Sequence, residues 1–213
     1  MSSEATRRFI RMFHILSTAI DAQKDHLSDL DGAVGDADHG ITMSLGFAAV
    51  NSRLSRLDAE QTSAGEIFDV AASAFLDAVG ASTGPLYATG FRGVAKTLRP
   101  EGGTDVDVQA AIIEAITAGI KHRGKGQRGD KTMLDAWMPA AETAAKCREQ
   151  QLSTVEFWTN VIAAAEEGRD ATRSMVAAKG RAARLGERSL GHVDPGAASA
   201  VIILKAMRDA FVS

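Results

Sequence analysis

The sequence predicts an all-α fold of roughly eight helices joined by short connections. Three observations carry this. Alanine, leucine, methionine and glutamate, all good helix formers, dominate the composition. Alternating Val/Ile/Thr runs of the strand type are nearly absent. Apolar residues instead recur at three- and four-residue spacing, which places them on one helical face.

The elements follow in chain order. Positions 3–29 carry Phe9, Met12, Phe13, Leu16 and Ile20 on one stripe, with Ser2 or Ser3 as cap and Glu4 in the first turn. His14, on the same helix, reads as surface or boundary. Positions 41–56 align Met43, Phe47, Val50 and Leu54. Positions 63–79 open on Ser63 with Glu66 three residues on, a capping box, and continue with Ile67, Val70, Ala71 and Phe75. "GASTGPLYATG" is a glycine-rich turn leading into a helix to about 98, with Pro85 suited to its first position. "RPEGGTD" reads as a plain surface loop. Positions 105–121 align Val108, Ile112, Ala115 and Ile116. Positions 130–149 form a helix capped by Asp130, with a kink expected at Pro139. Positions 153–177 begin at a second capping box, Ser153 and Glu156. Positions 179–196 show no periodicity and read as a long loop. The final stretch, 196–212, is apolar almost all round and should be buried. Trp137, Trp158 and the methionines read as core filling.

Bulk properties narrow the class. The chain has 213 residues, 45% of them hydrophobic, which suits one domain spanning 1–213 with a substantial core. A net charge of -3, a pI near 6.0 and the lack of a basic tail argue against nucleic acid as a partner. No apolar run approaches the roughly 20 residues a membrane span needs. Cys147 is the single cysteine, which excludes an internal disulfide and fits a reducing, cytoplasmic setting. The N-terminal residues lack a signal-peptide core.

The stretch "LDGAVGDADHG", 30–40, holds the chemistry. Asp36 and Asp38 are two apart, and Gly32 and Gly35 let the chain fold Asp31 back toward them. Converging carboxylates repel, unless a hard divalent cation such as Mg²⁺ neutralises them. His39 and Gly40 follow at a helix start, which suits a phosphate. Metal and phosphate ligands then stand side by side, as phosphoryl transfer requires. A solvated acidic turn in which Asp38 caps a helix is the plainer alternative. The register of an EF-hand is absent. Elsewhere, Ser82 and Thr83 offer hydroxyls before a helix. "GKGQRGDKT" fails the P-loop pattern because Asp130 separates Gly129 from Lys131. Lys179, Arg181, Arg184 and Arg188 make the 179–196 loop a candidate lid.

Taken together, "LDGAVGDADHGITMSLGF", "GASTGPLYATGF", "RGDKTMLDAWMPA" and "KGRAARLGERSLGHVDPGAASA" resemble the nucleotide-binding L subunit, or L domain, of dihydroxyacetone kinases. The resemblance implies an eight-helix antiparallel barrel with ADP or ATP at one end, held by the loops through two Mg²⁺ ions. It implies that Asp31, Asp36 and Asp38 hold those ions and so carry catalysis. It places His39, Gly40, Ile41 and Thr42 at the phosphates, and Ser82, Thr83 and Gly84 in a second nucleotide loop. Gly124, Thr132 and Met133 match the adenine side, and Arg181, Asp194, Pro195 and Gly196 the lid. Ala88-Thr89 departs from the Gly-Thr that is usual after the aromatic residue, which bears on packing of that turn. The resemblance further implies a separate K subunit that holds dihydroxyacetone. It leaves open whether the phosphoryl donor is a phosphotransferase-system protein or free ATP, whether the acceptor is another ketose such as erythrulose, whether ADP-loaded protein regulates a partner, and whether the chain forms a homodimer.

Overall fold

The computed structural model describes residues 2–80, 82–99 and 103–212, without the side chains of Ser2 and Ser3. The expected caps Ser2 and Ser3 and the centre of the "RPEGGTD" loop lie outside the described residues. The described residues are all helical and loop, with no strand. They form nine α-helices: α1 Ser2–Ala22, α2 Lys24–Gly32, α3 His39–Leu54, α4 Ala64–Ala78, α5 Thr83–Thr97, α6 Val106–Gly124, α7 Leu134–Glu149, α8 Thr154–Ala171 and α9 Pro195–Val212. None is long and apolar enough to cross a membrane.

The count exceeds the expected eight because 3–29 is two helices. Gln23, at φ -113° and ψ 7°, interrupts the run. The buried stripe nonetheless continues across the break from Ile20 to Leu27. Both capping boxes form. The Ser63 Oγ accepts from the Glu66 N–H while the Glu66 carboxylate accepts from the Ser63 N–H, and Ser153 and Glu156 repeat the arrangement. Asp105 caps α6 by accepting from the Val108 N–H at 3.0 Å. Pro85 is the third residue of α5, not its first.

α3 to α9 each pack on the next helix in sequence, α9 packs back on α1, and α1 packs on α3. These neighbours close a ring of eight, with α2 set against α3 and α9. Inside, Phe9, Phe13, Phe47, Phe68, Phe75, Tyr87 and Phe91 meet mostly edge to face, the favoured geometry for aromatic quadrupoles. Trp137 and Trp158 are fully buried, and each indole N–H finds a partner, the Tyr87 hydroxyl and the Gln109 side-chain oxygen. α9 buries most of its surface, as its apolar sequence requires. α7 continues through Pro139. Proline gives no N–H to the Asp135 carbonyl. α8 closes onto that oxygen, and a Cβ on Gly168 would stand only 1.9 Å from it.

Candidate functional site

A cleft of about 790 Å³ opens where the N-termini of four helices meet. Its lining includes His39 and Thr42 of α3, Ser82 and Thr83 at the start of α5, Thr132 to Leu134 leading into α7, and Asp194 to Gly196 leading into α9. Each helix directs the positive end of its dipole toward its N-terminus, so the four together favour an anion. Neither Asp38 before α3 nor Ser82 before α5 makes a side-chain cap hydrogen bond. The reading of Asp38 as a helix cap is therefore not what the geometry shows.

The acidic loop forms one wall. One oxygen each from Asp31, Asp36 and Asp38 lies within 4.8 Å of the others. Asp31 is buried and oriented: its Oδ2 accepts the backbone N–H groups of Asp38, at 3.0 Å, and His39, at 3.2 Å. Its carbonyl accepts from Val34 and Gly35. Gly35 has to be glycine, because a Cβ there would lie 2.2 Å from Asp31 Oδ1. Asp36 and Asp38 are exposed on the cleft side. Burial, and then the Asp36 charge, hold the Asp38 carboxyl above its ordinary range. Arg181 reaches across from the 172–194 segment and pairs with Asp36.

His39 Nε2 lies 3.0 Å from the Ser199 Oγ, so only Nδ1 is left for a ligand. Burial lowers the imidazole's pKa and favours the neutral ring. Asp194 caps α9 by accepting from the Ala197 N–H at 2.7 Å, and burial pushes its carboxyl up to about 7. Gly124, Met133, Pro195 and Gly196 line the cleft as well. Gly40, Ile41 and Gly84 do not. A Cβ on Gly40 would fall 1.8 Å from the Lys24 carbonyl oxygen, and one on Gly84 2.0 Å from that of Val79, so both serve close backbone packing. Ile41 points outward, 54% exposed, one turn from Leu45 at 58%.

Asp130 does not cap α7. Its carboxylate accepts from the Gln127 N–H. Asp135, inside the helix, reaches back instead to the N–H groups of Gly129 and Thr132, at 2.5 and 2.8 Å. The turn before α7 allows this because Gly129 and Lys131 both adopt positive φ, 93° and 58°. Lys131, passed over in the sequence, lines the cleft although it is only 1% exposed. The 179–196 stretch is not featureless: a 3-10 segment, Ala182–Ser189, kinks at Gly186. Ala177, just before this stretch, and Ala182, at the start of the 3-10 segment, pack on Val34 of the acidic loop. Lys179, Arg181 and Arg184 line the cleft, and Arg188 does not. Three converging carboxylates, four helix N-termini and a basic covering loop thus meet in one cleft, an arrangement whose charges suit a metal ion and a phosphorylated ligand.

The chain belongs to the DhaL family, and the DAK2 domain matches residues 33–209. It is 35% identical to the ADP-binding subunit DhaL of PEP-dependent dihydroxyacetone kinase 1 of Listeria innocua, over 96% of both chains. It is 34% identical to the ADP-binding subunit DhaL of the PEP-dependent dihydroxyacetone kinase of Escherichia coli, over 86% of both. The crystal structure of the dihydroxyacetone kinase of C. freundii shares the fold, with a TM-score of 0.73 and 24% identity over 94% of this chain. This chain spans 34% of that kinase.

Proposed function

We propose that this chain is the ADP- and Mg²⁺-binding L subunit of a PEP-dependent dihydroxyacetone kinase. It acts with a separate K subunit that holds the ketose. The observation that carries the reading is the convergence of Asp31, Asp36 and Asp38 beside four helix N-termini in one cleft. Hard oxygen donors at this spacing fit Mg²⁺, and the dipole ends beside them fit a polyphosphate. Asp31, Asp36 and Asp38 would hold the two ions beside the nucleotide. Mg²⁺ held by these carboxylates would supply positive charge to offset the negative charge that develops on phosphoryl transfer. The protein's own part is positioning. Asp31 is fixed by its two N–H donors, Thr42 and the residues Ser82 and Thr83 at the start of α5 face the phosphates, and Thr132 and Met133 face the base. Arg181 and the segment around it exclude water.

The closed ring of α1 and α3–α9 supports the eight-helix antiparallel barrel, and the single large core supports one domain. A buried free thiol at Cys147 is at home in the cytoplasm. The PEP dependence of the Listeria innocua and Escherichia coli kinases favours a PEP-linked phosphoryl donor, such as a phosphotransferase-system protein, over free ATP. Ile41 and Leu45, exposed beside the phosphate end of the cleft, suit the surface on which the K subunit presents its hydroxyl. Calorimetry with Mg²⁺ and ADP, on the native chain and on Asp36→Asn, tests the site. The variant is expected to lose binding, and undiminished affinity would refute the assignment. Turnover with a purified K subunit on a ketose panel tests the activity.

A further inference from the structure

We infer that Lys131 is a positioning residue whose ammonium clamps together the two ends of the loop covering the cleft. α8 ends at Ala171 and α9 begins at Pro195, and the chain between them leaves the helical body and returns. Lys131 Nζ donates to the carbonyl of Thr172, at the exit, and to that of His192, at the return, the latter at 2.6 Å. Two further bonds close the same neck. The Gly191 N–H donates to the Arg173 carbonyl at 2.8 Å, and the Asp194 N–H donates to the Thr172 Oγ1 at 3.0 Å. Next to Lys131, the Asp130 carbonyl accepts from the Ala178 N–H. The turn before α7 therefore grips the loop at three points.

The cost of burying a charge marks the ammonium as the reason for a lysine here. A buried charge whose hydrogen bonds go to carbonyls, not to a carboxylate, is expensive to desolvate, and a methionine would fill similar volume without that expense. Its backbone is left-handed, a conformation unfavourable for any residue with a Cβ. What the ammonium achieves is geometric. The loop beyond the neck carries Arg181 to Asp36 and Ala182 to Val34. Thr132 and Met133 follow Lys131 directly. One side chain thereby sets the spacing between the covering loop, the acidic trio and the residues assigned to the base.

The test uses the full chain with Lys131→Met. Hydrogen exchange without ligand reads the neck directly. Amides of Ala177, Ala178 and Gly191 are expected to exchange about tenfold faster or more, the scale of a lost hydrogen bond to a charged group, with α4 to α6 unchanged. Dissociation of Mg²⁺–ADP, which alone rests on the nucleotide reading, should quicken by a similar factor. Equal loop exchange in the folded variant would overturn the clamp, and so would a uniform rise across all helices. Should that variant not fold, Lys131→Gly removes the ammonium while relaxing the left-handed backbone, and the same exchange comparison decides. A native chain that binds no Mg²⁺–ADP would refute the nucleotide reading and leave the exchange result to judge the clamp.

Discussion

Replacing Asp38 with Asn separates repulsion from ligation, because the two readings of the acidic loop give opposite signs. The ligand oxygens of Asp31, Asp36 and Asp38 lie within 4.8 Å of one another. Two unit charges at that distance repel by about 0.9 kcal/mol at the permittivity of water and about 3.5 kcal/mol at an effective permittivity of 20. Asp36 and Asp38 are exposed, so the smaller figure governs, and Arg181 beside Asp36 trims it further. Asparagine matches aspartate in shape. The contact of Asp38 with Asp31 runs through its backbone N–H, which the substitution keeps. The unliganded variant should therefore gain up to about 1 kcal/mol, a rise in Tm of roughly 2–4 °C for a chain of this size. The size of the gain depends on pH. The Asp38 carboxyl is held above its ordinary range, so its ionisation costs stability as pH rises, and the gain should be larger at pH 8 than at pH 4.

Ligand reverses the order. Mg²⁺–ADP at a hundred times its dissociation constant stabilises the native chain by about 2.7 kcal/mol, roughly 5–10 °C. The variant should forfeit most of that. Thermal denaturation with and without Mg²⁺–ADP, with a chelator as control, reads both effects on one instrument. A lower unliganded Tm together with an undiminished ligand shift would refute the reasoning and make the loop a structural turn.

Three further outcomes are expected. Asp194→Asn keeps an oxygen for the Ala197 N–H but cannot ionise. The native carboxyl, raised to about 7, favours folding below its unfolded value and loses that advantage as pH rises through 7, so the variant should gain on the native chain between pH 4 and 8, by at most about 4 kcal/mol in denaturant titrations. Gly168→Ala should cost about 1–3 kcal/mol by the same measurement, because its Cβ would meet the Asp135 oxygen at 1.9 Å and force α8 away from α7. Leu45→Lys should leave Mg²⁺–ADP affinity unchanged by calorimetry while raising the K-subunit concentration needed for half-maximal turnover about tenfold, as loss of an apolar anchor would.

What the sequence disclosed divides by the reach of the interactions. The boxes at Ser63 and Ser153 are legible because each is settled within three residues. The acidic trio is legible because its glycines and carboxylates share one short loop. The break at Gln23 is not, since no glycine or proline marks it. There the start of α3 presses on the Lys24 carbonyl, and Gly40 admits that contact from sixteen residues away. Asp130 is the cap that the local sequence suggests for α7. The choice falls to Asp135 through a left-handed lysine, and nothing in the local sequence announces one. The contacts that assemble the cleft span still greater separations, from 61 residues for Lys131 and His192 to 145 for Arg181 and Asp36 and 160 for His39 and Ser199. Motifs name the groups of an anion site one loop at a time. Whether four helix N-termini face one another is decided by the packing of a ring whose core residues carry no chemistry of their own. Substitutions such as Gly168→Ala, remote from every ligand, should therefore shift nucleotide affinity through the spacing of α7, α8 and the loop that Lys131 holds.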